Sequence, residues 1–303
     1  MSAISIQQIV KTFPGKHSVV ALDHVDLLVE SGELFGIIGP DGAGKTTLFR
    51  IIATLLLADE GTATLRGMDV VRDYKKIRKV IGYMPGKFSL YQDLTVEENI
   101  QFFATLFLTS LEENYDLIKD IYVQLEPFKD RKAGKLSGGM KQKLALCCAL
   151  IHRPDVLLLD EPTTGVDPVS RKEFWEMLGR LKTSGMTIVV STPYMDEAVL
   201  CDRIALMQTG KILQTDTPQG IIDSYALQLL AIGGDHLYDT LQLLRHFEGT
   251  ANCFAFGDKL HLSLKDNSYS AASVTAYLEK NGRTDTTVEP IQPGIEDCFM
   301  AYL

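Results

Sequence analysis

The sequence predicts an α/β protein with a smaller α+β unit toward its C-terminal end. Three observations lead to this prediction. Short apolar strands alternate with helical segments over most of the chain. A glycine-rich loop stands between one of those strands and the helix that follows it. From about residue 218 the order becomes strand, helix, two strands, helix, strand, which is typical of the ferredoxin-like arrangement. We therefore expect a main domain over 1–218 and an accessory domain over 219–303.

The glycine-rich loop fits the phosphate-binding pattern, in which two glycines enclose four residues and Lys and Thr follow. Its backbone N–H groups and the start of the next helix would surround phosphate oxygens. Lys45 would reach the β- and γ-phosphates, and the Thr46 hydroxyl would bind Mg²⁺. The alternative is a flexible glycine turn, but the apolar strand 34–38 before the loop favours a phosphate site. The candidate nucleotide-binding residues are Gly39, Pro40, Asp41, Gly42, Ala43, Gly44, Lys45, Thr46 and Thr47.

A second candidate site begins where the apolar strand 156–159 ends in two carboxylates, Asp160 and Glu161. Ligands bind at the carboxyl ends of parallel strands in α/β sheets. Asp160 would hold Mg²⁺, directly or through water, and Glu161 would accept a proton from the attacking water or orient it. The alternative is a capping pair before Pro162, but the phosphate loop upstream favours the catalytic interpretation.

Two further features leave their alternatives open. Ser137, Gly138 and Gly139 precede a helix, so they form either a second anion site or a simple N-cap with a glycine loop. Phe13 ends the first strand, upstream of the phosphate loop. Its ring would either stack on an adenine or pack in the core, and packing is the more common use of an aromatic side chain.

The other elements follow from periodicity, capping residues and turns. In the main domain we expect strands at 3–13, 18–29, 62–66, 80–84 and 186–191, a hairpin at 203–214, and helices at 47–57, 95–107 and 112–125, with further helices ending near 151 and beginning at 168. In the accessory domain we expect strands at 227–232, 250–256, 259–264 and 285–290 and helices at 236–246, 270–280 and 294–302. The helical insertion, about 87–152, interrupts the α/β alternation.

Composition narrows the functional classes. The chain has 303 residues, of which 46% are hydrophobic and 23% charged, as in ordinary globular proteins. A net charge of −9 disfavours a nucleic-acid partner. Five cysteines without a CxxC pair indicate reduced, mostly buried thiols in a cytosolic protein. We expect no transmembrane helix, because apolar runs are too short, and no signal peptide, because a basic segment and an apolar core are missing.

The motifs together resemble those of ATP-binding cassette (ABC) ATPases. GPDGAGKTT, LSGGMKQK, LLLDEP and TTGVDP occur in the family's order and resemble its Walker A, signature, Walker B and D-loop motifs. The resemblance covers roughly 1–218, and the signature after a helical insertion is its most specific part. The stretch YMPGKFSLYQDLTVEENI and the C-terminal extension resemble the ATPase subunits of ABC-2-type exporters of drugs, antibiotics or lipids.

The resemblance implies a mechanism and partners. Two cassettes, in a homodimer or a heterodimer, would bind ATP and Mg²⁺ head to tail, so that Ser137, Gly138 and Gly139 serve the partner's nucleotide. Phe13 falls at the adenine-stacking position of the family. Closure of the dimer would act on a separate transmembrane permease, whose cytoplasmic helix docks beside the helical insertion. This implies a cytoplasmic location, peripheral at the inner face of the membrane, and no nucleic-acid partner.

Two positions depart from the family pattern. Gly86 stands where the family usually has Gln, which helps to place metal and water, and Pro193 stands where it usually has a His that contacts the γ-phosphate. Glycine has no side chain, and proline has no donor. Lys87, Gln92 or Tyr194 are candidate substitutes. We expect ATP binding to survive and hydrolysis to be slow.

Three functions compete on this basis. The first is a transporter ATPase. The second is a non-transport ABC ATPase of DNA repair or translation, which the acidic balance, the short insertion and the single cassette disfavour. The third is a cassette with weak or no hydrolysis that pairs with a complete one, an alternative that overlaps the first and that Gly86 and Pro193 suggest.

Overall fold

The computed structural model describes residues 2–15 and 18–302, which divide into two compact units at the boundary between Pro218 and Gln219. Within those residues, no helix has the length and apolar content needed to cross a membrane. The first unit contains two sheets. An antiparallel sheet has the order β2-β1-β4-β5, and a mostly parallel sheet has the order β10-β9-β3-β8-β7-β6. Its strands are β1 Ser2–Phe13, β2 Val19–Glu30, β3 Leu34–Ile38, β4 Glu60–Leu65, β5 Met68–Asp69, β6 Ile81–Met84, β7 Val156–Asp160, β8 Thr187–Thr192, β9 Arg203–Gln208 and β10 Lys211–Asp216.

The helices of the first unit surround the parallel sheet and form the insertion. They are α1 Lys45–Ile52, α2 Tyr74–Val80, α3 Val96–Leu106, α4 Leu111–Tyr122, α5 Gly138–Leu150 and α6 Pro168–Thr183, and α7 Pro218–Asp223 spans the unit boundary. The capping box predicted at Thr95 and Glu98 is confirmed at the start of α3. Ser137 caps α5 by accepting a hydrogen bond from the Met140 N–H at 3.3 Å.

The parallel strands are buried on both faces, as the continuous apolar runs predict. Every residue of β3, β7 and β8 is buried. An apolar core joins the antiparallel sheet, α1 and the parallel sheet, with Phe35 and Phe49 among its largest fully buried side chains. This packing fixes the parallel strands, and therefore their carboxyl ends, in register.

Register brings three strand ends to one edge. Ile38 at the end of β3 pairs with Thr192 at the end of β8, and Asp160 at the end of β7 pairs with Ser191. The glycine-rich loop, Glu161 and Pro193 follow these ends directly, so the topology gathers segments that are more than a hundred residues apart in sequence.

The helix predictions differ from the structure at two places. The expected helix over 47–57 begins at Lys45 and ends at Ile52, because Thr54 takes a left-handed conformation (φ 62°). Leu55 and Leu57 therefore lie in an exposed turn and not on a buried helix face. Helix α2 was not predicted: it buries only Ile77, so its apolar periodicity is weak.

The second unit has the predicted βαββαβ order, β11 Leu229–Gly233, α8 Leu237–Arg245, β12 Thr250–Phe256, β13 Lys259–Leu264, α9 Ala271–Lys280 and β14 Thr287–Pro290, followed by α10 Ile295–Met300. Its antiparallel sheet has the order β12-β13-β11-β14, as the ferredoxin-like arrangement requires. Leu230, Leu262, Leu244 and Val274 belong to its own apolar core. This unit therefore has the packing of a small independent domain.

The cysteine prediction is confirmed in its structural part. All five cysteines are buried, and none forms a disulfide. Burial raises the pKa of Cys147, Cys148 and Cys201 well above the ordinary value, so these thiols stay protonated and unreactive.

Candidate functional site

The glycine-rich loop is shaped by close backbone contacts. A Cβ at Gly39 would lie 2.0 Å from the Met207 carbonyl oxygen, and one at Gly44, where φ is 109°, would lie 2.4 Å from that of Ala21. Only glycine fits these two positions. Gly44 precedes the first residue of α1, so the first-turn N–H groups, which have no partner within the helix, come at the end of this loop.

Lys45 is the only charged side chain of α1 that is buried, at 3% exposure. Its Nζ donates hydrogen bonds to the carbonyl oxygens of Gly39 and Pro40, at 2.8 and 2.9 Å. It also lies 3.1 Å from Glu161 Oε1. The ammonium group thus links the loop to the carboxylate that follows β7 and places a positive charge beside the loop.

Thr46 and Asp160 meet at the same edge. The Thr46 hydroxyl lies 3.1 Å from Asp160 Oδ1, and the Ser191 hydroxyl donates to that oxygen at 2.7 Å. Asp160 is 1% exposed. Burial raises the pKa of the neighbouring Tyr83 to about 12, and the negative charge of Asp160 adds to that shift. A buried hydroxyl–carboxylate pair of this kind provides oxygen ligands, which Mg²⁺ prefers.

Glu161 is held by its backbone in an uncommon conformation. Its φ is 50°, and its N–H lies within hydrogen-bonding distance of both oxygens of Ser191, at 3.0 and 3.1 Å. A non-glycine residue persists in the left-handed region only where its surroundings fix it, and such residues cluster at functional sites. The Glu161 side chain remains 21% exposed, so water reaches the carboxylate.

A cleft of about 340 Å³ opens over Lys45, Thr46 and Glu161. It is lined by Val19, Val20, Ala21, Gly42, Gly44, Lys45, Thr46, Thr47, Glu161 and Thr209. Phe13 is 39% exposed and pairs across the sheet with Val19 of the cleft wall. The structure therefore places Phe13 at the rim and not in the core.

The three signature residues lie elsewhere. Ser137 and Gly138 are exposed at the start of α5, and none of the three lines the cleft. Gly139 is buried against α6, where a Cβ would lie 2.7 Å from the Ser170 hydroxyl. The N-cap role of Ser137 is present in the structure, and its exposed position leaves it accessible to a second molecule.

The two departures from the family pattern occupy the same edge. A Cβ at Gly86 would lie 3.0 Å from the Asp160 carbonyl oxygen, so this glycine approaches the backbone beside the candidate metal ligand. Pro193 is half-buried and follows Thr192. None of the proposed substitutes Lys87, Gln92 and Tyr194 is among the described residues that line the cleft. The Arg171 guanidinium instead lies over the Tyr194 ring, with its Cζ 4.0 Å from the ring centre.

Sequence reasoning did not single out Glu197 or Thr163. Glu197 is 2% exposed and accepts a hydrogen bond from the Thr163 hydroxyl at 2.8 Å. The Asp196-Glu197 pair reads as the acidic first turn of a short helix, and nothing local to the sequence shows that this carboxylate is buried.

The fold and the site define a class: a phosphate-loop nucleotide-binding cassette with a helical insertion. A family model described as "ABC transporter" matches residues 22–164. Among solved structures, the dimeric bacterial ABC transporter cassette MJ0796 superimposes with a TM-score of 0.65 at 28% identity, over 71% of this chain and 98% of that one.

Curated relatives extend over the whole chain. "Probable multidrug ABC transporter ATP-binding protein YbhF" of Escherichia coli (strain K12) is 37% identical over 310 residues, covering 100% of this chain and 52% of that protein. "Nod factor export ATP-binding protein I" of Rhizobium sp. (strain N33) is 33% identical, covering 98% of this chain and 96% of that protein. "Daunorubicin resistance ATP-binding protein DrrA2" of Streptomyces coeruleorubidus is also 33% identical, covering 92% and 89%. The chain spans about half the length of the first of these relatives. It belongs to the ATP-binding proteins of the ABC transporter family, as the motifs indicated.

Proposed function

We propose that this chain is the ATP-binding and ATP-hydrolysing subunit of an ABC exporter. One observation supports this most directly: Lys45, Thr46, Asp160 and Glu161 converge at one edge of the parallel sheet, within 3.1 Å of their partners in the site. The phosphate groups of ATP would bind over the loop 39–47, and Phe13 at the rim of the cleft would stack on the adenine.

Thr46 and Asp160 would hold the magnesium ion. Mg²⁺ keeps several waters and takes only one or two protein carboxylates beside the phosphates, so this small oxygen set fits it. When bound, the ion neutralises charge on the β- and γ-phosphate oxygens.

Glu161 would act as the general base. Its partly exposed carboxylate would accept a proton as a water oxygen bonds to the γ-phosphorus and the bond to the β–γ bridging oxygen breaks. Lys45 then compensates the negative charge that builds up on the phosphate oxygens. The left-handed backbone at Glu161 and its bonds to Ser191 keep the base in place during this step.

The partners of the proposed function are a second cassette and a membrane permease. The exposed Ser137–Gly139 segment would complete the ATP site of the second cassette. An apolar groove of about 560 Å³ lies beside the helical insertion and is lined by Met84, Leu90, Phe103, Leu106 and Phe107 among others. We assign this groove to a cytoplasmic helix of the permease. The chain would then work at the cytoplasmic face of the membrane, with 219–303 as an accessory domain outside the ATP site.

A second candidate is a cassette with weak hydrolysis that pairs with a complete one. Gly86 beside Asp160 and the absence of a side-chain donor at Pro193 favour it. The substrate would be chosen by the permease in either case.

The direct test is Mg-ATP binding to Lys45→Ala. Losing this charge-assisted contact is expected to cost about 1.5–3 kcal/mol, which is roughly a 10- to 150-fold rise in Kd. Lys182→Ala is the matched control, because Lys182 also forms an ion pair, with Asp202 at 2.5 Å, but is not among the residues that line the cleft. Calorimetric titration of the three folded proteins measures the Kd. An unchanged Kd in Lys45→Ala contradicts the assignment.

A further inference from the structure

Glu197 is a buried carboxylate outside the recognised motifs. It lies in the 3₁₀ turn Met195–Leu200 that follows β8 and is 2% exposed. Oε1 accepts a hydrogen bond from the Thr163 hydroxyl at 2.8 Å, and Oε2 accepts one from the Thr192 hydroxyl at 2.5 Å. The Arg171 guanidinium Nε is 3.7 Å from Oε1. Each oxygen of the carboxylate is therefore directed at a different segment of the chain.

The two threonines stand on the segments that shape the cleft. Thr163 comes two residues after Glu161, the candidate base. Thr192 ends β8, and its carbonyl oxygen accepts the Gly39 N–H, the first of the phosphate loop, at 3.2 Å. Its hydroxyl also accepts the Tyr194 N–H at 3.1 Å. A single carboxylate thus connects the segment after the base, the segment that contains Pro193 and, through one backbone bond, the phosphate loop.

Stability alone does not explain this arrangement. Desolvating a carboxylate costs free energy that its partners must recover, and replacing a buried ionic network with apolar side chains is often neutral or stabilising. Arg171 compensates the charge only loosely, since its Nε has no hydrogen-bond partner within residues 2–15 and 18–302 and the guanidinium rests on the Tyr194 ring. The network does fix geometry, because each carboxylate oxygen needs its threonine hydroxyl within hydrogen-bonding distance at the same time.

We propose that Glu197 is a positioning residue for ATP hydrolysis. It holds Thr163 and Thr192 so that Glu161 and the phosphate loop keep the spacing that the reaction needs. This support matters at Pro193, because a proline side chain has no donor for the γ-phosphate. The segment 192–194 is held instead by the hydrogen bond from Thr192 to Glu197. The inference rests on the proposed ATPase function.

Glu197→Gln tests the proposal with little change in volume. An amide has one acceptor oxygen, so one threonine hydroxyl loses its acceptor and can only accept from the amide NH₂, which leaves its own proton unpartnered and weakens the contact. Displacing catalytic groups by about 1 Å costs on the order of 10²-fold in rate. We expect kcat to fall about 10- to 100-fold, while the Kd for Mg-ATP stays within about threefold, since Lys45 and the loop amides are unchanged. Thr163→Val removes the Thr163 hydrogen bond to this side chain and should lower kcat similarly.

The double variant Glu197→Gln/Thr163→Val separates positioning from general damage. If both changes break one contact, the double variant loses little more than either single one. Glu33→Gln is the matched control: Glu33 is also buried, at 9%, and accepts from Arg203 at 3.3 Å, but it precedes β3 at the opposite end of that strand. It is expected to lower the melting temperature without a fall in kcat.

Five outcomes are distinguished. A selective, non-additive fall in kcat supports the proposal. Wild-type kcat in Glu197→Gln overturns it, and so does an equal loss of kcat and ATP affinity. A kcat loss in Glu33→Gln as large as that in Glu197→Gln also overturns it, because generic destabilisation would then explain both. Failure of the wild type to bind or hydrolyse ATP contradicts the underlying ATPase assignment instead.

Discussion

Pro193→His is expected to raise the rate of ATP hydrolysis by this chain. Pro193 follows Thr192, which pairs with Ile38 in β3 and bonds to the phosphate loop through Gly39. A side chain at 193 therefore starts at the edge where the phosphate groups would bind. Removing one preorganised donor from a transition state typically costs about 10²–10³ in kcat. Because a histidine added here lacks a preorganised support, we expect a smaller gain, about 10-fold.

Gly86→Gln is expected to behave differently when it is made alone. Its Cβ would meet the Asp160 carbonyl oxygen at 3.0 Å and lies 3.8 Å from Asp160 Cγ. The strand end must then shift by a few tenths of an ångström, and this shift reaches the candidate magnesium ligand. We expect little or no gain from this variant alone. Combined with Pro193→His, the gain exceeds that of either change if the two groups act together.

The assay is steady-state ATPase activity at saturating Mg-ATP for the wild type, both single variants and the double variant. Pro193→Ala is the matched control, because it restores the backbone N–H and the chain flexibility without adding an imidazole. If Pro193→His is no faster than Pro193→Ala, the missing side-chain donor is not what limits this site. Vigorous wild-type activity that neither substitution changes also refutes the reasoning, since other residues must then supply the contacts.

Three other predictions address the base, the accessory domain and the groove. Glu161→Gln should trap an ATP-bound dimer, since it removes the base and keeps the phosphate contacts. A monomer by light scattering at saturating ATP, where the wild type dimerises, contradicts this. Deleting 219–303, which leaves only Pro218 of α7, should keep the Kd for ATP within a few fold. Loss of binding in a variant still folded by circular dichroism contradicts the separation. Leu106→Glu, which charges a groove residue 61% exposed, should abolish co-purification with a co-expressed permease, whereas Leu28→Glu on β2 should not. Equal recovery of the permease with both variants contradicts the groove assignment.

Local sequence was sufficient for much of the candidate site. The Lys45-Thr46 pair and the Asp160-Glu161 pair each follow a short apolar strand, and both were expected at strand ends. Parallel strands carry their ends to one edge of a sheet, so a common site followed from two separate motifs. Their measured contact, Thr46 to Asp160 at 3.1 Å, depends on strand order, and the sequence pattern does not give that order.

Other features depended on contacts that sequence periodicity does not report. The run Thr54–Leu57 looks like the end of a helix, yet the left-handed Thr54 turns it outward. Gly86 looked like a missing side chain, and only the fold shows that the Asp160 backbone crowds that position. An acidic residue such as Glu197 is ordinarily exposed, so its burial at 2% was unpredictable from its neighbours.

The sequence by itself determined most of the elements, the phosphate loop and the chemistry of its residues, because those properties depend mainly on residues a few positions apart. Capping at Ser137 and the apolar strands are local in this sense. Tertiary structure alone decided which segments share an edge and which polar groups lose water. Glu197 bonds to Thr163 across 34 positions of sequence, and Thr46 reaches Asp160 across 114. Such contacts depend on the packing of the whole sheet. A buried polar group is costly without a hydrogen-bond partner, so the packing must bring both partners together.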